Sequence, residues 1–278
     1  MILSCKNIGK EFPEKVIVKD ASFFIAEREK VALIGDNGVG KTTLLRMLTG
    51  ELSPDNGSVS LSPACRVGYL SQNAVVEGTL SLYDEVMRER RDVLALEETM
   101  RGQELRMKEL SGEALQSLMN AYAETTAAYE RENGFALKSE VTGILKGLGF
   151  TEEEFTRAVD TLSGGQRTRL MLAKLLFGKP DLLILDEPTN HLDLRSVMWL
   201  EGYLSSFPKA ALVVSHDRYF LDRFVSRVLE IEAGRLTVFQ GNYTAYAKQK
   251  ELLRKSAENA YENAQKKIAH EEAVIEKL

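Results

Sequence analysis

The chain has 278 residues, enough for one large domain or two small ones, and 44% of them are hydrophobic, enough for a substantial core. Charged residues make up 28% with a formal net charge of −5, an ordinary acidic balance that gives no global argument for nucleic-acid binding and still permits a local basic patch. No apolar run approaches the roughly 18 residues of a membrane span, the N-terminus has no basic segment leading into an apolar one, and Cys5 and Cys65 lack metal or redox spacing, which together predict a cytoplasmic protein with reduced cysteines.

The N-terminal part carries short strand-like runs, Val16–Val18, Ser22–Ile25, Val31–Ile34, Ser58–Leu61 and Val67–Leu70, separated by turn signals such as Pro54-Asp55-Asn56-Gly57. Between the third run and a helical stretch, Thr43–Leu48, stands Gly35-Asp36-Asn37-Gly38-Val39-Gly40-Lys41-Thr42. It fits the phosphate-binding pattern G-x-x-x-x-G-K-[ST] at every required position and in the strand–loop–helix context the pattern needs. Glycines let successive N–H groups turn inward on phosphate oxygens, and the helix N-terminus behind them adds a positive dipole end. Lys41 can reach the β- and γ-phosphates and Thr42 can offer its hydroxyl to Mg²⁺. The plain alternative is a glycine turn capping a helix. The motif predicts binding of a nucleoside triphosphate.

From Tyr83 to Gly134 charges become dense and helix formers dominate, predicting helices over Leu82–Met107 and Glu113–Arg131 joined near Leu110-Ser111-Gly112 as a hairpin. Leu115, Leu118, Met119, Tyr122 and Tyr129 fall on one helical stripe. A further helix is expected to start at Thr151, with Glu154 completing a capping box. Continuous apolar runs return at Leu182–Leu185 and Ala211–Val214, as expected of parallel strands buried on both faces, and the segments between them read as helical, the α/β signature. Tyr246 to Leu278 contains no Pro or Gly and reads as one helix of about 50 Å. Leu253, Ala257, Ala260, Ala264, Ile268 and Ile275 approximate an apolar seam along it, and the absence of a closing cap predicts a truncated helix.

Two further stretches carry chemistry. Leu182-Leu183-Ile184-Leu185 delivers Asp186 to the C-terminal end of a buried strand, where α/β ligands bind and where the carboxylate can hold Mg²⁺. Glu187 follows, placed to act as general base on water; a strand ending in solvated acids is the plain alternative. Leu162-Ser163-Gly164-Gly165-Gln166 leads into an amphipathic helix, Thr168–Phe177, and offers N–H groups and a hydroxyl either to an anion or to the helix itself as an ordinary serine cap.

Leu162–Gln166 resembles the signature motif of ATP-binding cassette (ABC) ATPases, which in that family covers the γ-phosphate held by a facing cassette. The rest of the chain is similar in order and spacing. Gln72, in Tyr69-Leu70-Ser71-Gln72, resembles the Q-loop glutamine that contacts Mg²⁺ and the water; Pro188-Thr189-Asn190-His191-Leu192-Asp193 resembles the turn and D-loop after the metal-binding strand. His216, in Ser215-His216-Asp217, resembles the switch histidine that senses the γ-phosphate. Phe12 sits where the family stacks an aromatic on adenine, often a tyrosine; otherwise it is a core aromatic. The resemblance implies an α/β P-loop NTPase core with a parallel sheet, an antiparallel β subdomain and a helical subdomain. It implies ATP and Mg²⁺ as ligands. Gly35, Asp36, Asn37, Gly38, Val39, Gly40, Lys41, Thr42 and Thr43 would then hold the nucleotide, Thr42, Gln72 and Asp186 the metal, and Glu187, Gln72 and His216 would carry catalysis. Ser163, Gly164, Gly165 and Gln166 would act on a partner's nucleotide.

Within the family the wording of Asn190–Leu194, Ser215–Leu221 and Gly241–Tyr246 resembles the ABC-F class, which carries two cassettes on one chain and acts on ribosomes. On that resemblance residues 1–241 form the cassette, with a helical subdomain or arm insertion over about 80–160, and residues 242–278 begin a charged interdomain linker, cut short. The implied partners are a second cassette, from the same longer chain or by self-association, and the ribosome or tRNA; Lys248, Lys250, Arg254, Lys255, Lys266 and Lys267 on the linker suit phosphate contacts but alternate with acids, which suits a solvated or coiled-coil face. The alternative is the ATP-binding subunit of a membrane transporter, which would meet the membrane only indirectly.

Overall fold

The structure, a computed structural model, describes residues 1–71 and 78–275. In chain order it contains β1 (Leu3–Phe12), β2 (Lys15–Ile25), β3 (Lys30–Ile34), α1 (Lys41–Leu48), β4 (Asn56–Leu61), β5 (Val67–Leu70), α2 (Leu82–Met87), α3 (Arg91–Met107), α4 (Gly112–Arg131), α5 (Leu137–Gly147), α6 (Gly164–Gly178), β6 (Leu182–Asp186), α7 (Leu194–Ser206), β7 (Ala210–Val214), α8 (Arg218–Phe224), β8 (Arg227–Glu232), β9 (Arg235–Gln240) and α9 (Tyr243–Ile275). The chain divides into two compact units, Met1–Ser62 with Leu212–Leu278, and Pro63–Ala211, the boundary falling inside β7.

In the first unit β2, β1 and β4 form an antiparallel sheet. The two runs expected over Val16–Val18 and Ser22–Ile25 are one strand, β2. Lys19-Asp20 between them is a bulge rather than a turn: Asp20 takes φ 51°, and the pairing shifts register between Ala21 opposite Ile8 and Val18 opposite Lys10. Beyond the bulge Ala21, Phe23 and Ile25 point inward in strict alternation. The same unit pairs β3 parallel to β8 and β8 antiparallel to β9. All five residues of β3 are buried, as a parallel strand covered on both faces requires.

The second unit pairs β5 parallel to β6, with Leu182–Leu185 fully buried. The helix expected over Leu82–Met107 is broken into α2, a 3₁₀ turn at Arg88–Arg90, and α3. The break lies where the buried Arg90 guanidinium reaches Glu132, the residue that closes α4, donating to its backbone carbonyl (3.1 Å) and its carboxylate (2.8 Å). The α3–α4 hairpin forms around the expected loop. Tyr129 is buried on its inner stripe and Tyr122 donates to Glu104 (2.8 Å), but Met119 is 49% exposed and does not belong to the stripe. At Thr151 the capping box is present, yet it opens only a 3₁₀ turn, Glu152–Thr156, not a helix. The chain then runs extended because it pairs with the segment before α2: Leu82 N–H donates to Arg157 (2.9 Å) and Val159 N–H to Leu80 (3.0 Å). Helix α5, with Leu137, Val141, Ile144 and Leu145 buried on one face, is an addition to the sequence reading, and α6 starts at Gly164, earlier than the expected Thr168. On α9, Leu253, Ala257, Ala260 and Ala264 are exposed, whereas the side chains of Ile268 and Ile275 lie outside the described residues.

One buried charge braces the second unit. Glu85 of α2 is 4% exposed, pairs with Lys174 of α6 and accepts from Arg88 (3.1 Å). Burial pushes its carboxyl up, but Lys174 and Arg88 together outweigh that and hold it below the usual carboxylate range. A depressed folded-state pKa gives stability that is present above the unfolded value of about 4.3 and lost as pH falls through the folded one. Glu85→Ala is therefore expected to cost about 3 kcal/mol in urea denaturation at pH 7, with the gap from wild type closing as the pH falls below the ordinary carboxylate range.

Candidate functional site

In the first unit, β3 ends at Ile34 and the chain turns through Gly35–Gly40 into α1, whose first two residues, Lys41 and Thr42, complete the motif. Two glycines are demanded by what surrounds them. At Gly35 (φ 153°) an added Cβ would lie 2.5 Å from the carbonyl oxygen of Ile231 on β8; at Gly40 (φ 113°) it would lie 2.4 Å from the Ile17 side chain of β2. Both backbones approach too closely for any side chain. Gly40 also takes the helix N-cap position in a left-handed conformation. The Lys41 ammonium lies back across the loop, donating to the carbonyls of Gly35 (2.7 Å) and Asp36 (3.0 Å), and Lys15 of β2 donates to the carbonyl of Gly38. Asp36, Asn37, Gly38 and Thr42 are exposed, while Val39, Gly40, Lys41 and Thr43 are half-buried.

A cavity of about 420 Å³ opens beside this loop, lined by Gly35, Asp36, Asn37 and Lys41 on one side and by Ser215 and His216 on another. His216 is exposed at the end of β7. Its turn is fixed by Ser215, whose hydroxyl accepts from Asp217 N–H (3.1 Å), and by Asp217, which caps α8 through Tyr219 (3.0 Å) and Phe220 (3.1 Å). Phe12 lies at the end of β1, 41% exposed, with the Lys10 ammonium 5.6 Å from its ring centroid, and is not among the residues lining the cavity.

The cavity has a further wall that the sequence reading did not assign to it: Glu230 of β8 and Tyr243, Tyr246 and Lys250 of α9. The signal was present in Glu230, a carboxylate between the apolar residues Val228-Leu229 and Ile231 of a buried strand.

In the second unit Asp186 is 3% exposed at the end of β6. Glu187, directly after it, takes φ 52°, a left-handed conformation that costs a non-glycine residue about 1 kcal/mol. The turn behind it closes through Asn190 N–H to the Glu187 carbonyl (3.2 Å) and Leu192 N–H to that of Thr189 (3.2 Å), after which Asp193 caps α7 by accepting from Ser196 N–H (2.8 Å). That bond holds the Asp193 carboxyl below its usual range. Ser163 caps α6 in a reciprocal box: its hydroxyl accepts from Gln166 N–H (3.3 Å) and its N–H donates to the Gln166 side chain (3.0 Å), which donates in turn to Glu154 (2.8 Å). The ordinary-cap reading of this serine thus holds in the structure. Space above Gly164 is open, and the His191 side chain lies 3.4 Å from where a Cβ on Gly165 would be. Gln72 lies outside the described residues.

Among the described residues no group of three or more His, Cys, Asp or Glu could cage a metal. Asp186 at the end of β6 offers one buried carboxylate and Thr42 at the start of α1 a hydroxyl, each a hard oxygen donor of the kind Mg²⁺ takes.

A model of the ABC transporter family matches residues 18–190, and a second model of the same description matches residues 229–278. The tylosin resistance ATP-binding protein TlrC of Streptomyces fradiae is 38% identical over 94% of this chain and 48% of its own length. ABC transporter F family member 5 of Arabidopsis thaliana is 34% identical over 98% of this chain and 40% of its own. The chain thus spans about half the length of the curated relatives it matches. Among solved structures, an ATP-binding subunit of an ABC transporter superposes with TM-score 0.63 at 19% identity over 86% of this chain and 90% of that one, a likeness of fold. The glycine loop closed against β2 and β8, the buried strand ending in Asp186-Glu187 and the family match together establish that the chain belongs to the ABC transporter family as an α/β ATP-binding cassette, similar to those of its F-class members.

Proposed function

We propose that this cassette binds ATP with Mg²⁺ and hydrolyses it to ADP and phosphate. The observation that carries the reading is the loop Gly35–Thr42, whose Gly35 and Gly40 sit where only backbone fits and whose Lys41 lies across it beside a cavity shared with His216. The loop N–H groups cradle the phosphates, and the Lys41 ammonium exchanges its carbonyl partners for phosphate oxygens. Asp36, Asn37, Gly38, Val39 and Thr43 complete the cradle, and Phe12 packs on the base. Thr42 and Asp186, with Gln72, would hold the Mg²⁺, which when bound would supply charge neutralisation for phosphoryl transfer. Glu187, the residue directly after Asp186, would accept the proton of the attacking water. His216 contacts the γ-phosphate. Ser163–Gln166 serve the nucleotide of a facing cassette, so a complete site needs a second cassette in a longer chain or a second copy.

On the scale of the whole protein we read the function as that of a cytoplasmic ABC-F protein acting on the ribosome, in translation or in antibiotic resistance. Support comes from the similarity to F-class members and to the tylosin resistance protein. The charged helix α9 would begin the interdomain linker of residues 242–278. Its cations are largely matched to neighbouring acids, Arg254 with Glu258 (3.0 Å) and Lys255 with Glu251 (2.7 Å), which favours a solvated shaft over a phosphate-binding face in this part of the linker.

Lys41→Ala is expected to weaken ATP binding by about 100-fold, roughly 2.7 kcal/mol, in an equilibrium titration; undiminished affinity would remove Lys41 from the site. Glu187→Gln is expected to bind ATP as the wild type does and to lose at least about 100-fold in turnover; hydrolysis near the wild-type rate would exclude Glu187 as the base. The full-length Glu187→Gln protein is expected to co-sediment with ribosomes in ATP and not in ADP. Failure to do so, with a membrane subunit co-purifying, would assign the chain to a transporter.

A further inference from the structure

The wall opposite the phosphate loop belongs to the long helix. Tyr243, Tyr246 and Lys250, one face of the first turns of α9, line the same cavity as Gly35, Asn37 and Lys41. They are held there by Glu230. Its carboxylate is 8% exposed, accepts from the Tyr246 hydroxyl (2.6 Å) and pairs with the Lys250 ammonium, which also reaches Glu232 (3.3 Å). The Tyr246 ring packs edge-on against Phe239 of β9 (5.0 Å, 81°) and against Tyr243 (5.5 Å, 60°). Thr244 ties the helix start to Asp222 of α8 through its N–H (2.7 Å) and hydroxyl (3.0 Å).

Packing alone does not call for this arrangement. An apolar residue at 230 would dock a helix on β8 without the desolvation that a buried carboxylate costs. What the charge adds is a link along β8. Glu230 stands in register with Ile34, the residue before the phosphate loop, and its neighbour Ile231 supplies the carbonyl against which Gly35 is pressed. One strand therefore carries both the floor of the loop and the anchor of the helix. Burial alone would lower the Lys250 pKa, but Glu230 and Glu232 more than offset this and raise it, so the ammonium stays charged and paired to both acids.

We propose that Glu230, Tyr246 and Lys250 are positioning residues that couple occupancy of the phosphate loop to the docking of the first turns of α9. The Lys250 ammonium has three N–H donors, of which Glu230 and Glu232 take two; a phosphate oxygen entering the cavity takes the third and stabilises the docked helix, and the docked helix, by the same linkage, strengthens binding of the triphosphate. The inference rests on the ATP-binding reading of the same cavity and deepens it, since it assigns the nucleotide an effect on the helix that leaves the cassette.

The test uses the whole chain and two independent readouts, ATP affinity by titration and hydrogen–deuterium exchange of residues 243–254 with and without MgATP. Wild type is expected to show exchange in this segment slowed at least about 5-fold by MgATP. Lys250→Met is expected to lose that protection and to bind ATP about 5-fold more weakly, Lys250→Arg to restore both, and Tyr246→Phe, which keeps the ring packing and removes only the hydroxyl, to reduce both in the same proportion. A purely structural cluster would give variants whose α9 exchanges faster to the same extent with and without MgATP and whose ATP affinity is unchanged; that result overturns the proposal. Wild type that binds ATP without change in α9 exchange overturns the coupling alone. Wild type that binds no ATP overturns the ATP reading and the coupling with it.

Discussion

The shape of the phosphate loop is set by how closely two other strands approach it. The Ile231 carbonyl on β8 and the Ile17 side chain on β2 occupy the space that a side chain on Gly35 or Gly40 would need, at 2.5 and 2.4 Å from the missing Cβ atoms. Only glycine fits at these two positions, so the loop backbone runs directly against β8 and β2, and a loop held in this way needs little reorganisation to meet a ligand. Such preorganisation is what makes backbone dipoles effective against a polyanion. Lys41 completes the clamp by spanning the loop's own carbonyls. The remainder of the first unit follows: the pairing of β3 with β8 fixes the height of the loop, and the turn after β7 brings His216 to the same cavity.

The second unit meets a different constraint. A buried parallel strand must end somewhere, and β6 ends on a buried carboxylate followed by a residue in a left-handed conformation. That strain is local and is retained because the turn behind Glu187 is closed by backbone hydrogen bonds and by the Asp193 cap of α7. The start of α6 is fixed in the same manner, by a reciprocal Ser163–Gln166 box tied to Glu154. In both places the residues of chemical interest are held by caps and turns on rigid elements, which positions them without a mobile loop.

Much of this was legible in the sequence because the physics leaves few alternatives. A glycine-rich loop between an apolar run and a helix, and an apolar run ending in two acids, each admit few conformations, so Gly35–Thr42 and Asp186-Glu187 could be placed at once. Element boundaries were legible where a cap was local, as at Ser163, and not where tertiary contacts decide. Arg90 breaks the helix after α2 by reaching Glu132, far along the chain, and the box at Thr151 opens a single turn because the chain beyond it pairs with Leu80 and Leu82. Helix α5 has a sound apolar stripe but lies beside the charged hairpin, whose texture masks it. The Glu230 cluster was out of reach for the same reason: an acid flanked by apolar residues in a strand announces a partner without naming it, and Tyr246 and Lys250 come from a helix whose composition reads as a solvated shaft.

The central claim is that the clamped loop reads phosphates, so the most direct measurement compares MgATP with AMP in an equilibrium titration of the unmodified chain. The two share base and ribose and differ in the phosphates that, on the proposed function, the loop and Lys41 hold. The account predicts that MgATP binds at least about 100-fold more tightly than AMP, as two or more charge-assisted contacts require. Equal affinity for the two, or none for MgATP, would contradict it.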